Sequence, residues 1–156
     1  MQKTLNVTSP AFSSGEWIPK IHTGDGEDIS PALHLQGLCR EAVSLAVILD
    51  DLDIPLIPNY SHWLLWNLPP MEEIPANIPY GPSTLRGAVQ GRAYGKNRYR
   101  GPYPPAFLKK PHRYVFRVYA LDCFLQLDAS ARRKALVKAM QGHILQEGQI
   151  GGVYHR

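Results

Sequence analysis

With 156 residues, the chain is long enough to bury the core of one ordinary domain. Hydrophobic residues make up 44% and charged residues 19% of the sequence, a balance that excludes a disordered chain. The net charge of +4 is a mild excess, and no nucleic-acid-binding motif is present. We therefore predict a single domain over residues 1–156 that does not bind nucleic acid.

Proline and glycine are frequent, at 14 and 13 residues, which predicts many turns and long ordered loops rather than a helix bundle. The predicted strands are residues 3–7, 42–49, 62–68, His112–Leu121 and 150–155. Residues 42–49 form a continuous apolar run, which is typical of a buried central strand. Long loops are predicted over residues 8–33, 69–80 and 81–111.

One late helix is predicted over residues 131–145, where good helix formers place apolar side chains along one stripe. Asp128 or Ser130 can cap its start, and Gly148 can end it. The sequence therefore predicts a mostly β domain with one late α-helix.

The sequence contains little to indicate a membrane-spanning segment, a secreted protein or a disulfide bond. No apolar run approaches the ~20 residues of a membrane span, and the first residues lack the apolar run of a signal peptide, so we expect a cytoplasmic protein. Cys39 and Cys123 lack metal-ligand spacing and lie beside apolar runs, so both are expected to be free buried thiols.

Polar side chains lie at the ends of three predicted strands. Asp51 follows one strand, whereas His62 and His112 each open another. Because the end of one antiparallel strand lies beside the start of the next, these three side chains are expected to meet at one edge of the sheet. Two imidazoles supported by a carboxylate can donate charge-assisted hydrogen bonds to an anion such as phosphate.

Other chemistries fit these residues less well. Two aspartates and two histidines can in principle hold a metal, but the short His or Cys spacings of common sites are absent, so no metal is predicted. A serine hydrolase needs an activated nucleophile, and no Gly-x-Ser-x-Gly motif is present; Ser61, beside His62, is the nearest candidate. A hydrolase that uses a histidine as general base remains the alternative to a binding protein.

The order of several motifs resembles the phosphatidylethanolamine-binding proteins, also called Raf kinase inhibitor-like proteins, and above all their short bacterial and archaeal branch (YbhB/YbcL-like). The motifs that carry this resemblance are Gly26-Glu27-Asp28-Ile29-Ser30-Pro31, Asp51-Leu52-Asp53-Ile54-Pro55, His62-Trp63-Leu64, Tyr99-x-Gly101-Pro102-Tyr103-Pro104-Pro105 and His112-Arg113-Tyr114, where x is any residue. The final stretch, with Gly142-His143-Ile144-Leu145 and Gly152-Val153-Tyr154-His155-Arg156, is also similar to that branch.

The resemblance implies a β-sandwich with a small pocket for phosphate-type anions at one end. The residues that would line or support this pocket are Asp51, Asp53, His62, Tyr99, Gly101, Pro104, His112 and Tyr114. It implies no catalytic residue and no cofactor. The implied partners are a small anionic or phosphorylated ligand and, in a regulatory role, a kinase or protease. The short branch lacks an extra C-terminal helix, which leaves a surface for a homodimer.

The sequence departs from the family pattern at three positions near the implied pocket. Leu52 stands where the family has proline, Ala93 where it has asparagine, and Tyr103 where it has a small residue or cysteine. These differences bear on the choice of ligand more than on the fold.

Overall fold

The computed structural model describes residues 3–156. It contains eight strands and one α-helix in the order β1 (Asn6–Thr8), β2 (Leu33–Gln36), β3 (Ser44–Asp51), β4 (Tyr60–Leu68), β5 (Glu73–Ile74), β6 (Val89–Gln90), β7 (His112–Leu121), α1 (Arg133–Met140) and β8 (Ile144–Tyr154). The mostly β fold with one late helix is therefore confirmed.

The larger sheet has five antiparallel strands in the order β6-β4-β3-β7-β8. Strand β3 is its centre, and every residue from Ser44 to Asp51 is buried. This arrangement explains the continuous apolar run, because a central strand that is covered on both faces needs apolar side chains at nearly every position. Strand β7 matches the predicted bounds, and Tyr114, Phe116, Val118 and Ala120 pack on one face as the alternation predicted.

The smaller sheet, in the order β1-β2-β5, packs against one face of the larger sheet. The main core between the two sheets joins Val7, Leu33 and Leu35 to Leu45, Val47, Leu49, Phe116 and Val118. We call this side of the larger sheet the sandwich face. Helix α1 covers the opposite side, the helix face, where Leu136 and Met140 pack against Ala46, Ile48, Leu64 and Trp66.

Several predicted boundaries are wrong. The helix ends at Met140 rather than residue 145, and its N-cap is Arg132, so neither Asp128 nor Ser130 caps it. Gly142 turns the chain with φ +82°, and β8 then runs for 11 residues and contains Gly148, the predicted helix end. The short strands β2, β5 and β6 were missed: β5 and β6 lie within predicted loops, and β2 begins at the last residue of another.

Two smaller findings concern membranes and cysteines. Over residues 3–156, no helix is long and apolar enough to cross a membrane. Cys39 and Cys123 are free, as expected, but both are only partly buried.

Candidate functional site

The antiparallel register brings the predicted side chains to one end of the larger sheet. Asp51, at the end of β3, lies opposite Tyr60 of β4 on one side and opposite Tyr114 of β7 on the other. His112 precedes Tyr114 by two residues, so it projects from the same face of β7. The end of a central strand therefore places a carboxylate between two strands that carry the candidate ligand-binding residues.

A β-bulge in β4 places His62 at this site. Leu49 pairs with Trp63 and Asp50 with Ser61, so His62 is an extra residue between two consecutive pairs. The Ser61 hydroxyl donates to Asp50 Oδ1 at 2.6 Å, whereas the His62 ring centroid lies 5.6 Å from that of Tyr114, which belongs to the sandwich core. The bulge thus turns His62 away from Ser61 and towards the side that carries His112.

His112 is held by Asp51. The imidazole Nδ1 donates to Asp51 Oδ2 at 2.8 Å, and both side chains are almost fully buried. The other carboxylate oxygen, Oδ1, accepts the backbone N–H of Asp53 at 2.8 Å. Because a carboxylate only accepts, this contact fixes the proton on Nδ1 and leaves Nε2 of His112 without a hydrogen-bond partner among residues 3–156.

Backbone carbonyls orient the His62 ring in the same way, by accepting a hydrogen bond from its Nδ1. Its Nδ1 donates to the carbonyl oxygens of Arg100 at 2.9 Å and Gly101 at 3.2 Å, and no hydrogen bond to Nε2 is found in the described part of the chain. Burial lowers the pKa of His62 below its usual 6.5, although these carbonyls and the charge of Asp51 oppose that shift. The ring is therefore neutral in the free protein near pH 7.

A loop anchored by Asp28 positions these carbonyls. Asp28 accepts the backbone N–H of Gly101 on Oδ1 and the guanidinium of Arg98 on Oδ2, both at 2.7 Å. Beneath the loop, the fully buried Tyr99 hydroxyl donates to the carbonyl of His22 at 2.6 Å. Burial raises the pKa of Tyr99 well above its usual value, so this hydroxyl stays protonated. Tyr99 therefore supports the loop from the interior.

The remaining predicted residues have different positions. Asp53 lies at the surface, where both of its oxygens accept the Arg113 guanidinium at 3.0 Å, and this contact lowers the pKa of Asp53. Pro104 is buried within the proline-rich loop. A cavity of about 220 Å³ opens beside His112, lined also by Asp53, Pro55, Leu108, Lys110 and Pro111.

The Tyr114 ring lies near both imidazoles, and its hydroxyl is in the interior. It is buried and has no partner with hydrogen-bond geometry within residues 3–156. Burial, and next the negative charge of Asp51, raise the pKa of Tyr114, so the hydroxyl is protonated. An uncompensated polar group at this depth is unusual.

Sequence reasoning missed three side chains that surround His62. The rings of Tyr94 and Tyr60 lie 5.0 and 5.7 Å from the imidazole, and the Arg100 guanidinium lies 4.5 Å from the Tyr94 ring centre. Asp28 belongs to one of the family motifs but was not predicted to be a site residue. No sequence signal marks Tyr94 or Arg100, because both come from a loop that meets β4 only in the folded chain.

The site does not have the geometry of a metal centre. Among the described residues, Asp51, Asp53, His62 and His112 do not bring three ligand atoms close enough to share an ion. Tyr103, the departure in the pocket loop, stacks against the Arg156 guanidinium at 4.0 Å and fills the space beside Gly24.

Comparison with known proteins places this geometry in a family. A family model described as phosphatidylethanolamine-binding protein matches residues 8–155. A UPF0098 protein of Archaeoglobus fulgidus is 46% identical over all of this chain, which spans only 53% of that relative's length. The UPF0098 protein of Pyrococcus abyssi is 42% identical, over 95% of this chain and 84% of its own.

Solved structures agree with the family model. E. coli YbcL, described as a member of the mammalian family, superposes with a TM-score of 0.87 at 28% identity, over 97% of this chain and 98% of its own. A Chlamydia trachomatis homologue of the same family gives a TM-score of 0.85 at 33% identity, over 99% of both chains. The chain therefore belongs to the phosphatidylethanolamine-binding protein family.

Proposed function

We propose that this chain binds a small phosphate-type anion, such as a phosphorylated head group, between His62 and His112. The observation that carries the proposal is that both buried imidazoles have Nδ1 occupied, while neither Nε2 has a hydrogen-bond partner among residues 3–156. Both rings lie against Tyr114, with ring centroids 5.6 and 6.4 Å from it. Two fixed nitrogen atoms on neighbouring rings suit an anion with several oxygen atoms.

Protons accompany the anion in this proposal. Because His62 is neutral in the free protein, its Nε2 carries a lone pair and cannot donate until the ring gains a proton. An oxyanion that accepts from Nε2 stabilises the protonated ring, so binding takes up a proton. Affinity therefore strengthens as pH falls and weakens as pH rises through the pKa that His62 has in the complex.

Asp51 has a supporting part in this scheme. Both of its oxygens are occupied, by His112 and by the backbone of Asp53, so its charge lies behind the imidazole and away from the anion. A carboxylate in this position orients the ring and stabilises the positive charge on it, as carboxylates behind metal-bound histidines do.

The regulatory part of the proposal concerns a protein partner such as a kinase or protease. The turn after Asp53 exposes Leu56 completely, and the proline-rich loop exposes Phe107, so the two loops that border the cavity also present apolar side chains. Apolar side chains beside a ligand site suit a partner whose binding depends on whether the anion is present.

A hydrolase is the second candidate, favoured by one observation. His62 is neutral, and its Nε2 has no hydrogen-bond partner in the described part of the chain, so the ring has the protonation state of a general base. Ser61 does not serve as the nucleophile, because its hydroxyl donates to Asp50 on the helix face. Water would have to attack directly, so we expect no saturable hydrolysis of phosphate esters; hydrolysis lost in His62→Gln would favour this candidate instead.

Titration calorimetry with phosphate and with O-phosphoethanolamine, between pH 5.5 and 8, tests anion binding. His112→Ala should lose a charge-assisted hydrogen bond worth about 1.5–3 kcal/mol, which is roughly a ten- to hundredfold loss of affinity. His34→Ala is the matched control, because His34 is an exposed histidine on β2. His22 does not serve as a control, since its carbonyl accepts from Tyr99 and its ring bonds to Ile29. Unchanged affinity in both His62→Gln and His112→Ala would refute the site.

A further inference from the structure

A second cluster of potential ligands lies where the chain leaves β7 and enters β8. Asp122, Cys123 and His143 each offer one ligand atom, and all of these atoms lie within 4.8 Å of one another. Leu121 and Ile144 pair across the two strands, and the Asp122 N–H donates to the His143 carbonyl at 3.0 Å just beyond that pair. The sheet therefore brings together residues that are separated by about twenty positions in sequence.

Hydrogen bonds fix the backbone of this cluster. The buried Ser44 hydroxyl donates to the Cys123 carbonyl at 2.6 Å, and the His143 N–H donates to the Met140 carbonyl at 2.9 Å. His143 Nδ1 lies 2.8 Å from Asp122 Oδ1, so two of the three ligand groups are already oriented towards each other. Side chains on a fixed backbone lose less conformational freedom when they bind an ion than those on a loop do.

A simpler interpretation does not account for the whole cluster. An ion pair explains the contact between Asp122 and His143, but it does not involve the Cys123 sulfur, which lies within 4.8 Å of the ligand atoms of both. A divalent ion engages all three groups, because coordination removes the proton of a thiol outright.

We propose that Asp122, Cys123 and His143 form a binding site for a divalent transition-metal ion, with Zn²⁺ as the best match. One thiolate, one imidazole and one carboxylate are the ligand types that zinc takes in proteins, and thiolate disfavours Mg²⁺ and Ca²⁺. Tetrahedral zinc bonds hold ligand atoms about 3.3–3.8 Å apart, so small side-chain rotations close the cluster on an ion. Asp122 and His143 are nearly half-exposed, which gives the ion access and leaves a fourth position for water.

This site is independent of the anion site. Asp122 and His143 lie beyond the end of β7 opposite to the one that carries His112. Sequence spacing did not reveal the cluster, because Asp122 and Cys123 are adjacent and His143 comes only after the helix.

Binding of Zn²⁺ and Co²⁺ to the full chain, in phosphate-free buffer, tests the proposal. We expect one equivalent of Zn²⁺ by calorimetry, and with Co²⁺ a near-ultraviolet thiolate-to-metal charge-transfer band. Loss of an outer-sphere partner alone costs metal sites about 10–100-fold in affinity, so Cys123→Ser and His143→Gln should each weaken Zn²⁺ binding at least about tenfold. Cys123→Ser should also abolish the charge-transfer band.

Cys39→Ser is the matched control, because Cys39 is the other free and partly buried cysteine and lies outside the cluster. It should keep both the affinity and the band. The proposal is overturned by a missing Co²⁺ thiolate band in the unmodified chain, or by equal Zn²⁺ affinity in the unmodified, Cys123→Ser and His143→Gln chains. If Cys123→Ser folds poorly, His143→Gln alone decides the question through the affinity.

Discussion

Replacing Gly101 with alanine tests whether the loop behind His62 has room for even one methyl group. A Cβ built at Gly101 lies 2.0 Å from the His22 carbonyl oxygen, 2.8 Å from the Tyr99 hydroxyl and 2.9 Å from Asp28 Oδ1. Ordinary contacts are about 3.5 Å or longer, so the backbone must move by more than an ångström. That movement strains the hydrogen bonds that hold the loop, including the one from Gly101 N–H to Asp28.

The expected cost combines overpacking, about 1–3 kcal/mol, with at least one buried hydrogen bond, about 1 kcal/mol. We therefore expect Gly101→Ala to lower the free energy of unfolding by about 3 kcal/mol, which corresponds to a fall in Tm of roughly 6–12 °C for a chain of this size. Urea titrations followed by tryptophan fluorescence measure this change.

Gly151→Ala provides the matched control for this prediction. Gly151 lies in β8, and within residues 3–156 the one atom that a Cβ there would approach within 4 Å is the Tyr114 carbonyl oxygen at 3.5 Å, an ordinary contact. Its replacement should change the free energy of unfolding by less than about 1 kcal/mol, as most substitutions without a steric cause do. A Gly101→Ala protein as stable as Gly151→Ala would refute the close packing inferred for the loop.

Three further predictions concern buried polar groups. Burial lowers the pKa of His62 in the folded protein, so below pH 6.5 this residue binds more protons in the unfolded chain than in the folded one. The free energy of unfolding should therefore fall as pH drops from 6.5 towards the pKa of His62 in the folded state. Urea titrations at pH 5–7 should show a shallower fall in His62→Gln than in the unmodified chain. Asp50→Asn should cost about 2–3 kcal/mol by urea titration, since the fully buried carboxylate accepts from Arg117 and Arg133; a cost below 1 kcal/mol would contradict this. Tyr114→Phe should leave Tm unchanged or raise it, because the lost hydroxyl has no hydrogen-bond partner among the described residues, and a fall of several degrees would contradict this.

The local pattern of apolar and polar residues was sufficient to predict the two long strands at the centre of the larger sheet. Residues 42–49 carry apolar side chains at almost every position, which predicts a buried central strand; β3 is that strand, displaced by two residues. The alternation of side chains over His112–Leu121 predicted a strand with the same first and last residues as β7. The pattern is readable because one face of that strand is covered more fully than the other.

The family motifs also located the site in the sequence. Antiparallel pairing was enough to expect Asp51 beside His112, and the two side chains are 2.8 Å apart. The binding roles of these residues stay a prediction until an anion is titrated against the variants.

Tertiary structure alone decided which way His62 faces and what holds it. Strict alternation along β4 would put His62 on the helix face with Leu64 and Trp66, and only the bulge opposite Leu49 and Asp50 turns it to the sandwich side. A bulge depends on the register with a neighbouring strand, so a single segment carries no signal for it. Likewise, Asp28 supports Gly101 across 73 positions of sequence.

Pairing between β7 and β8 explains both the early end of the helix and the second cluster of ligand residues. Residues 141–145 continue a helical pattern, but Gly142 turns the chain and pairing with β7 draws residues from Ile144 onwards into β8. That pairing also brings His143 beside Asp122 and Cys123. The sequence by itself determined which segments are apolar and which polar residues lie at their ends, because both follow from local periodicity. Pairing between distant strands decided which side chains touch, because the energy of those contacts depends on partners that lie far away in the sequence.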